Sequence, residues 1–289
     1  MTLNEFFSAI AALSGLTFVV ASMLGTGLSL TVPQIIQPLK NARLVVLALL
    51  ANFVLVPLLA YGINLLLPLD QSLQIGLIVL ATTAGAPFLV KEVAAAKGNL
   101  SLGVGLMFLL MIVTIVYVPI VLPLLLPGVE VNPWDIAKSL IVTMLIPIVL
   151  GLMYRSHSPE GAGQWAPVMN KASGVALLIM LVTGLGLNIS NIIDLIGSFG
   201  FLALILFVVG SLLIGMLLGG RDPAVRSVLG LGTAQRNVAA AILVTSLNFP
   251  GTMTLPYVLV ASIILPLILI PTAKRLGRSS EAAASQTDG

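Results

Sequence analysis

The chain has 289 residues, of which 58% are hydrophobic and 8% are charged, and it contains no cysteine. Soluble domains carry about 25% charged residues, so the composition excludes a soluble protein and predicts an all-α protein that crosses the membrane many times. A net charge of +3 spread over short loops does not predict nucleic-acid binding. Without cysteine there is no disulfide or thiolate ligand, and we expect neither a metal site nor a cofactor.

Apolar runs of about 20 residues predict about nine membrane spans. They lie at 6–30, 42–67, 72–95, 99–126, 134–154, 167–190, 197–219, 224–247 and 252–273. The first run has no Lys or Arg before it and is long enough to span, so it is interpreted as a helix rather than a cleaved signal peptide.

The basic residues predict the orientation of the chain. Of 13 Lys and Arg residues, Arg236 and provisionally Lys91 are assigned to the membrane and Lys138 to one side, which leaves ten on the other side. Because cytoplasmic loops are enriched in Lys and Arg, the N-terminus is expected outside and the C-terminus in the cytoplasm. We expect a multi-pass protein of the plasma membrane (bacterial inner membrane).

Two sequence blocks recur along the chain. Ser14-Gly-Leu and Gly27-Leu-Ser-Leu-Thr…Ile35-Ile36 reappear as Ser173-Gly-Val and Gly186-Leu-Asn-Ile-Ser…Ile192-Ile193. Five spans separate the copies, so they start on opposite sides of the membrane, as in the inverted repeats of secondary transporters. The predicted divisions are a first repeat at 1–126, an unpaired fifth span with its loop at 127–160, a second repeat at 161–273 and a cytoplasmic tail at 274–289.

Polar residues interrupt the eighth span. Thr233, Gln235, Arg236 and Asn237 stand almost consecutively in an apolar run, just after two glycines. A charge in hydrocarbon costs roughly 2.5 kcal/mol or more. We therefore favour a discontinuous helix whose break faces protein or a water-filled cavity over a long helix with one Arg buried against a partner.

The repeat pairs the eighth span with the third, where a second break is predicted. Pro87 removes a backbone donor there, and Lys91 and Glu92 follow. Two broken helices that meet near the midplane would direct freed backbone groups at one cavity. Lys91 and Glu92 either line that cavity or form an ordinary pair at the membrane edge, since the apolar run before them could just span.

Neutral polar side chains also occur near both breaks, and they allow two interpretations. Hydrogen bonding between helices explains them as well as substrate contact does. They are Asn52, Thr82, Thr83, Thr233, Gln235 and Asn237.

Several motifs resemble those of the bile acid:sodium symporter superfamily. They are Ser22-Met-Leu-Gly-Thr-Gly-Leu-Ser-Leu-Thr31, Ala51-Asn-Phe…Pro57, Ala96-Lys-Gly-Asn-Leu-Ser-Leu102, Leu145-Ile-Pro-Ile-Val-Leu-Gly-Leu152 and Gln235-Arg-Asn237. The resemblance covers about residues 14–273. It implies a nine-helix member with a panel domain of spans 1, 5 and 6, and a core domain of spans 2–4 and 7–9 in which spans 3 and 8 cross.

The chain departs from this family at the positions that hold sodium. The family's Ser-Asn pair falls on Leu89-Val90, its downstream hydroxyls on Gly103 and Met107, and its Glu on Leu231. Of the sodium-site residues only Gln235 and, as Asn for Gln, Asn52 remain. Sodium prefers several oxygen ligands, so the resemblance implies this fold without the usual sodium sites.

These features predict a secondary transporter of a small organic anion. Arg236, together with Lys91, would neutralise the anion or stand where sodium stands in relatives. Glu92 is the candidate proton carrier, so a proton is favoured over sodium as the coupling ion. Uniport and exchange are equally open.

The alternative is a non-transporting membrane receptor or scaffold that kept the fold. No enzyme is predicted, because the chain has no paired-Asp metal motif, no Gly-x-Ser-x-Gly and no catalytic His. The expected partners are the lipid bilayer and the anionic substrate. The oligomeric state is left open.

Overall fold

The protein is an all-α, multi-pass membrane protein, as its composition predicts. The computed structural model describes residues 3–126, 132–187, 189, 193, 195 and 197–287, and these residues form helices and turns without a strand. Within them, eight helical stretches are long and apolar enough to cross a membrane. The remaining predicted span, 72–95, consists of two shorter helices.

Fourteen α-helices build the described part of the fold. In chain order they are α1 (Leu3–Ser29), α2 (Val32–Ile36), α3 (Ala42–Leu50), α4 (Val56–Leu66), α5 (Gln71–Thr82), α6 (Leu89–Ala95), α7 (Leu100–Leu125), α8 (Pro133–Leu140), α9 (Ile146–His157), α10 (Pro159–Gly186), α11 (Gly200–Leu218), α12 (Pro223–Ala234), α13 (Val238–Asn248) and α14 (Thr254–Thr287). Span 3 therefore comprises α5 and α6, and span 8 comprises α12 and α13.

Single π-helical turns join α3 to α4 and α8 to α9, and a proline follows each turn. Pro57 has no N–H to donate to the carbonyl of Phe53 four residues earlier. The widened turn accommodates this loss, because the N–H of Val56 bonds the carbonyl of Ala51 instead. The hydroxyl of Tyr117 donates to the freed Phe53 carbonyl at 2.6 Å. The carbonyl that Pro57 leaves without its helical donor is thus satisfied by a side chain of α7.

Two helix ends differ from the boundaries that apolar runs predicted. The sixth span begins at Pro159 rather than 167, because a proline at the first helical position starts the helix before its apolar part. The tail expected at 274–289 continues α14 as far as Thr287. Asn188, Ser190 and Ile192 of the second repeat block lie outside the described residues.

The helices pack in two groups that match the panel and core predicted from the resemblance. In the panel, α1 packs against α9 and α10. A Cβ on Gly151 would lie only 2.7 Å from the carbonyl oxygen of Leu24, so the small side chain permits backbone contact between α9 and α1. The core holds α3–α7 and α11–α14. The groups meet where α1 and α8 touch α13, and where α8 touches α7 and α10 touches α14.

Contacts inside the core come in matching pairs. The contact of α4 with α5 in the first half corresponds to the contact of α11 with α12 in the second half. In the same way, the contact of α5 with α14 corresponds to the contact of α12 with α7. Likewise α5 meets α13, and α12 meets α6. An inverted repeat predicts such a correspondence, because spans 2–4 and 7–9 would exchange places across a pseudo-twofold axis. The boundaries of the repeat stay a prediction.

The predicted orientation can be tested with single cysteines, because the chain has none of its own. Asp70 and Ser156 are both exposed and lie in turns or helix ends on opposite predicted sides. In intact cells, a membrane-impermeant maleimide should label the Asp70→Cys variant and should not label the Ser156→Cys variant. After permeabilisation, the maleimide should label both variants. The reverse pattern would contradict an outside N-terminus.

Candidate functional site

The first break lies between α5 and α6, at residues 83–88. Gly85 has φ of +80°, a left-handed conformation that favours glycine. A Cβ at this position would lie 2.6 Å from Cα of Met111, because α7 passes directly over the break. The hydroxyl of Thr114, also on α7, donates to the carbonyl of Ala84 at 3.0 Å and accepts from its N–H at 2.9 Å. The opened backbone is therefore supported from one side by α7.

The second break spans residues 235–237, between α12 and α13. Asn237 caps α13, since its Oδ1 accepts from the N–H of Ala240 at 3.1 Å. Its main-chain N–H donates to the carbonyl of Thr83 at 3.0 Å, and its Nδ2 donates to the carbonyl of Gly85 at 3.1 Å. Both predicted breaks are present, and Asn237 joins one to the other.

Arg236 occupies the centre of the crossing and is fully buried. Its Nε donates to the carbonyl of Leu80 at 2.9 Å, and its Nη2 donates to that of Ala81 at 2.7 Å. Its Nη1 donates to the carbonyl of Thr233 at 3.0 Å and to Oδ1 of Asn52 at 2.8 Å. One side chain thereby links span 2, span 3 and span 8.

Within the described part of the chain, helix ends rather than a carboxylate balance the charge of Arg236. Helices α5 and α12 both end at the guanidinium, which hydrogen-bonds carbonyls of their last turns. Each helix C-terminus carries about half a negative charge, so two of them offset about one positive charge. This arrangement explains how an arginine is kept in an apolar core where an isolated charge would be costly.

Thr83 and Thr233, two of the threonines predicted near the breaks, contribute to the crossing through their main-chain carbonyls. The hydroxyls of Thr82 and Thr83 bond to carbonyls of their own helix, at Ile78 and Val79 respectively. The carbonyls of Thr83 and Thr233 are the groups that contact the second break. For these threonines the hydrogen-bonding interpretation is the one that the geometry favours.

Asn52 and Gln235 have different surroundings at the crossing. Asn52 is fully buried in the first π turn, and its Nδ2 donates to the carbonyl of Ala48 at 3.0 Å while its Oδ1 receives Arg236. Gln235 is 6% exposed, and its Oε1 has no hydrogen-bond partner among the described residues. Gln235 therefore keeps one buried acceptor that no described residue uses, whereas Asn52 bonds the arginine.

Lys91 and Glu92 do not form a pair. Lys91 is exposed, with its Nζ 5.7 Å from the ring centroid of Phe88. Glu92 is 1% exposed, and neither of its carboxyl oxygens has a hydrogen-bond partner in the described part of the chain. Consecutive helix residues point in different directions, and α6 turns these two to opposite environments. Pro87 lies in the turn just before α6.

The positions aligned with the family's sodium ligands are apolar and packed. Leu89, Met107 and Leu231 all belong to the buried apolar core. A Cβ on Gly232 would meet Leu89 at 3.2 Å, which places α6 and α12 in direct contact there. No side-chain oxygen is offered at these three positions.

Sequence reasoning missed Thr114 and Tyr117, which support the first break and the π turn from α7. Both are isolated hydroxyl groups in a strongly apolar span, and that isolation is the signal that could have identified them. A cavity of about 240 Å³ lies elsewhere, between the C-terminal parts of α4 and α7 and the N-terminal part of α5. It is lined by Tyr61, Asn64 and Gln74 among others, and by none of the predicted site residues.

Comparison with known proteins places this arrangement among membrane transporters. Residues 16–195 match the profile of the Sodium Bile acid symporter family, a stretch that contains the first break and ends before the second. The probable sodium/metabolite cotransporter BASS3, chloroplastic, of Oryza sativa subsp. japonica is 21% identical over 230 residues, which cover 77% of this chain and 54% of that protein.

Two proteins of Bacillus subtilis (strain 168) are similar as well. The uncharacterized sodium-dependent transporter YocS is 25% identical over 62% of this chain and 60% of its own length. The uncharacterized protein YbaS is 28% identical over 74% of this chain and 72% of its own length. The chain thus spans between half and two thirds of the length of BASS3 and YocS.

Replacing Gly85 by alanine should destabilise the protein by about 3 kcal/mol or more, because a Cβ there meets α7 and the backbone is left-handed. Gly62→Ala is the matched control. Its Cβ would meet no atom within 4 Å, and alanine favours a helix over glycine. Thermal unfolding in detergent measures both variants, and equal midpoints would show that α7 does not press on the break.

Replacing Asn237 by alanine should cost about 2–3 kcal/mol of stability, since a helix cap and a buried hydrogen bond to Gly85 are lost together. Asn41 is a control of the same type, because it caps α3 with one hydrogen bond at an exposed site. Asn41→Ala should cost about 1 kcal/mol or less. The prediction fails if chemical or thermal unfolding ranks the two variants the other way.

Proposed function

Because the chain belongs to the Sodium Bile acid symporter family, we propose that it is a secondary transporter that moves a small organic anion by alternating access around the crossing of its two broken helices. The observation that carries the proposal is that the two cations at the crossing differ in exposure to solvent. Arg236 is sealed among four oxygens, whereas Lys91 on the same crossing is exposed. The names of the similar proteins, a sodium/metabolite cotransporter and a sodium-dependent transporter, support transport as the activity.

Lys91 is the cation available to a substrate. Its helix, α6, packs against α7, α12 and α14, which are all core helices. The exposed side of α6, which carries Lys91, is the side that these three helices leave uncovered. In the predicted orientation α6 lies in the cytoplasmic half of span 3. An ammonium group there attracts a carboxylate or another small anion.

The outer half of the crossing is closed by the panel. Helix α13 packs against α1 and α8, and the contact is apolar, with Ile242 near Gly15 and Met180. Helix α14 meets α10 where Leu259 approaches Gly184. An interface of small and apolar side chains lets the core shift against the panel without stripping charged groups of their partners. Such a shift would expose the crossing to the two sides in turn.

Glu92 is the proposed proton carrier. Its carboxyl group is buried one turn into α6, beside Lys91 in sequence, and has no hydrogen-bond partner among the described residues. Leaving an ionised carboxylate in such a place is costly, so the group is suited to bind a proton in one state and release it in another. Coupling to a proton fits the apolar side chains at the family's sodium positions.

The test is uptake of labelled small mono- and dicarboxylates by proteoliposomes, with sodium and proton gradients imposed separately. We expect uptake driven by the proton gradient and unchanged when choline replaces sodium. Glu92→Gln should abolish proton-driven accumulation. Lys91→Gln should raise the half-saturating substrate concentration about tenfold or more, because a hydrogen bond to a charged group contributes about 1.5 kcal/mol or more.

Glu160→Gln and Lys171→Gln are matched controls, since both residues are exposed on the panel helix α10 and remote in sequence from the crossing. They should behave like the unsubstituted protein. Strict sodium dependence would contradict proton coupling but not transport. Saturable binding of an anion with no uptake under any gradient would favour the receptor alternative.

A further inference from the structure

We infer that the space around the Arg236 guanidinium is a monovalent-cation site that this protein fills with a side chain of its own. The inference deepens the proposed function, on which it rests only for its consequence for ion coupling. The site is defined by four oxygen atoms, from Leu80, Ala81, Thr233 and Asn52, at 2.7–3.0 Å from guanidinium nitrogens.

All four oxygens are uncharged, and they come from three separate parts of the chain. Three are main-chain carbonyls in the last turns of α5 and α12, where the supply of helical N–H donors ends. Of these three, the carbonyl of Leu80 also accepts from the N–H of Thr83 at 3.3 Å. The fourth is the amide oxygen of Asn52, which the first π turn directs at the same place. Carbonyl and amide oxygens are also the ligands that hard cations prefer.

The fold requires a positive charge here but does not require that it be attached to residue 236. Two helix C-termini converge on one point, and together they provide about one negative charge. If no cation were present, their carbonyls would face each other and an apolar core without donors. A guanidinium satisfies them best because its planar donors match several oxygens at once. Because this guanidinium is part of residue 236, just before α13, the site is always occupied.

The tethered guanidinium has a consequence for the coupling of transport to an ion. In a protein whose crossing is completed by a free ion, assembly of the crossing depends on the concentration of that ion. Here the tethered cation keeps spans 2, 3 and 8 together under all ionic conditions. Transport should therefore be indifferent to sodium, and removal of the tether should create a dependence on a free cation that the unsubstituted protein lacks.

The experiment compares Arg236→Ala with Arg236→Lys and the unsubstituted protein, each purified and measured in low-millimolar guanidinium, sodium or choline chloride at equal ionic strength. The control is Arg221→Ala, which removes an exposed arginine. The melting temperature of Arg236→Ala should rise by about 5 °C or more in guanidinium over choline, as expected for a ligand well above its dissociation constant. The other three proteins should show no such rise.

Sodium serves as a second probe, and a rise with sodium as well would show that alkali ions also fit the site. Equal melting temperatures of Arg236→Ala in guanidinium and choline would overturn the inference. So would failure to recover folded Arg236→Ala from any salt when Arg236→Lys is recovered, since the tether itself would then be essential. Because melting is measured without substrate, these outcomes are independent of whether uptake is found. If uptake is found, that of Arg236→Ala should require the added cation.

Discussion

The crossing depends on one electrostatic constraint, which is that two helices end inside the membrane with their negative ends facing each other. Helices α5 and α12 stop at Thr82 and Ala234, so the supply of N–H donors for the carbonyls of their last turns ends there. The guanidinium of Arg236 satisfies both ends and takes Asn52 as a further acceptor. Without this charge the two breaks would repel each other in a medium that screens poorly.

The same constraint separates the roles of the charged residues around the crossing. A guanidinium that bonds four protein oxygens stabilises the core, and it has little hydrogen-bonding capacity left for a substrate. Lys91 is exposed and Glu92 is buried without a hydrogen-bond partner among the described residues, so these two retain the capacity for binding and proton exchange. In the proposed mechanism, structure and transport therefore use different charges, and the difference in burial separates them.

The family resemblance suggests coupling to sodium, whereas the side chains at the crossing do not favour a sodium site. The family match and the names of similar proteins connect the fold with sodium. In this chain the aligned positions Leu89, Met107 and Leu231 are packed in the apolar core, and a tethered cation stands at the crossing instead. Because a fold does not fix the chemistry of its sites, a few side chains can change how a helix break is neutralised.

The sequence by itself determined the all-α membrane fold, the positions of the spans and the two breaks, because apolar length, proline, glycine and a buried polar cluster act locally on the chain. It left open what each polar group contacts. Only the tertiary structure decided that Arg236 bonds the end of a helix 156 residues away, and that Lys91 and Glu92 face opposite environments. Those outcomes depend on how α5, α6, α12 and α13 cross, and crossing geometry is set by contacts between distant segments rather than by the residues at the breaks.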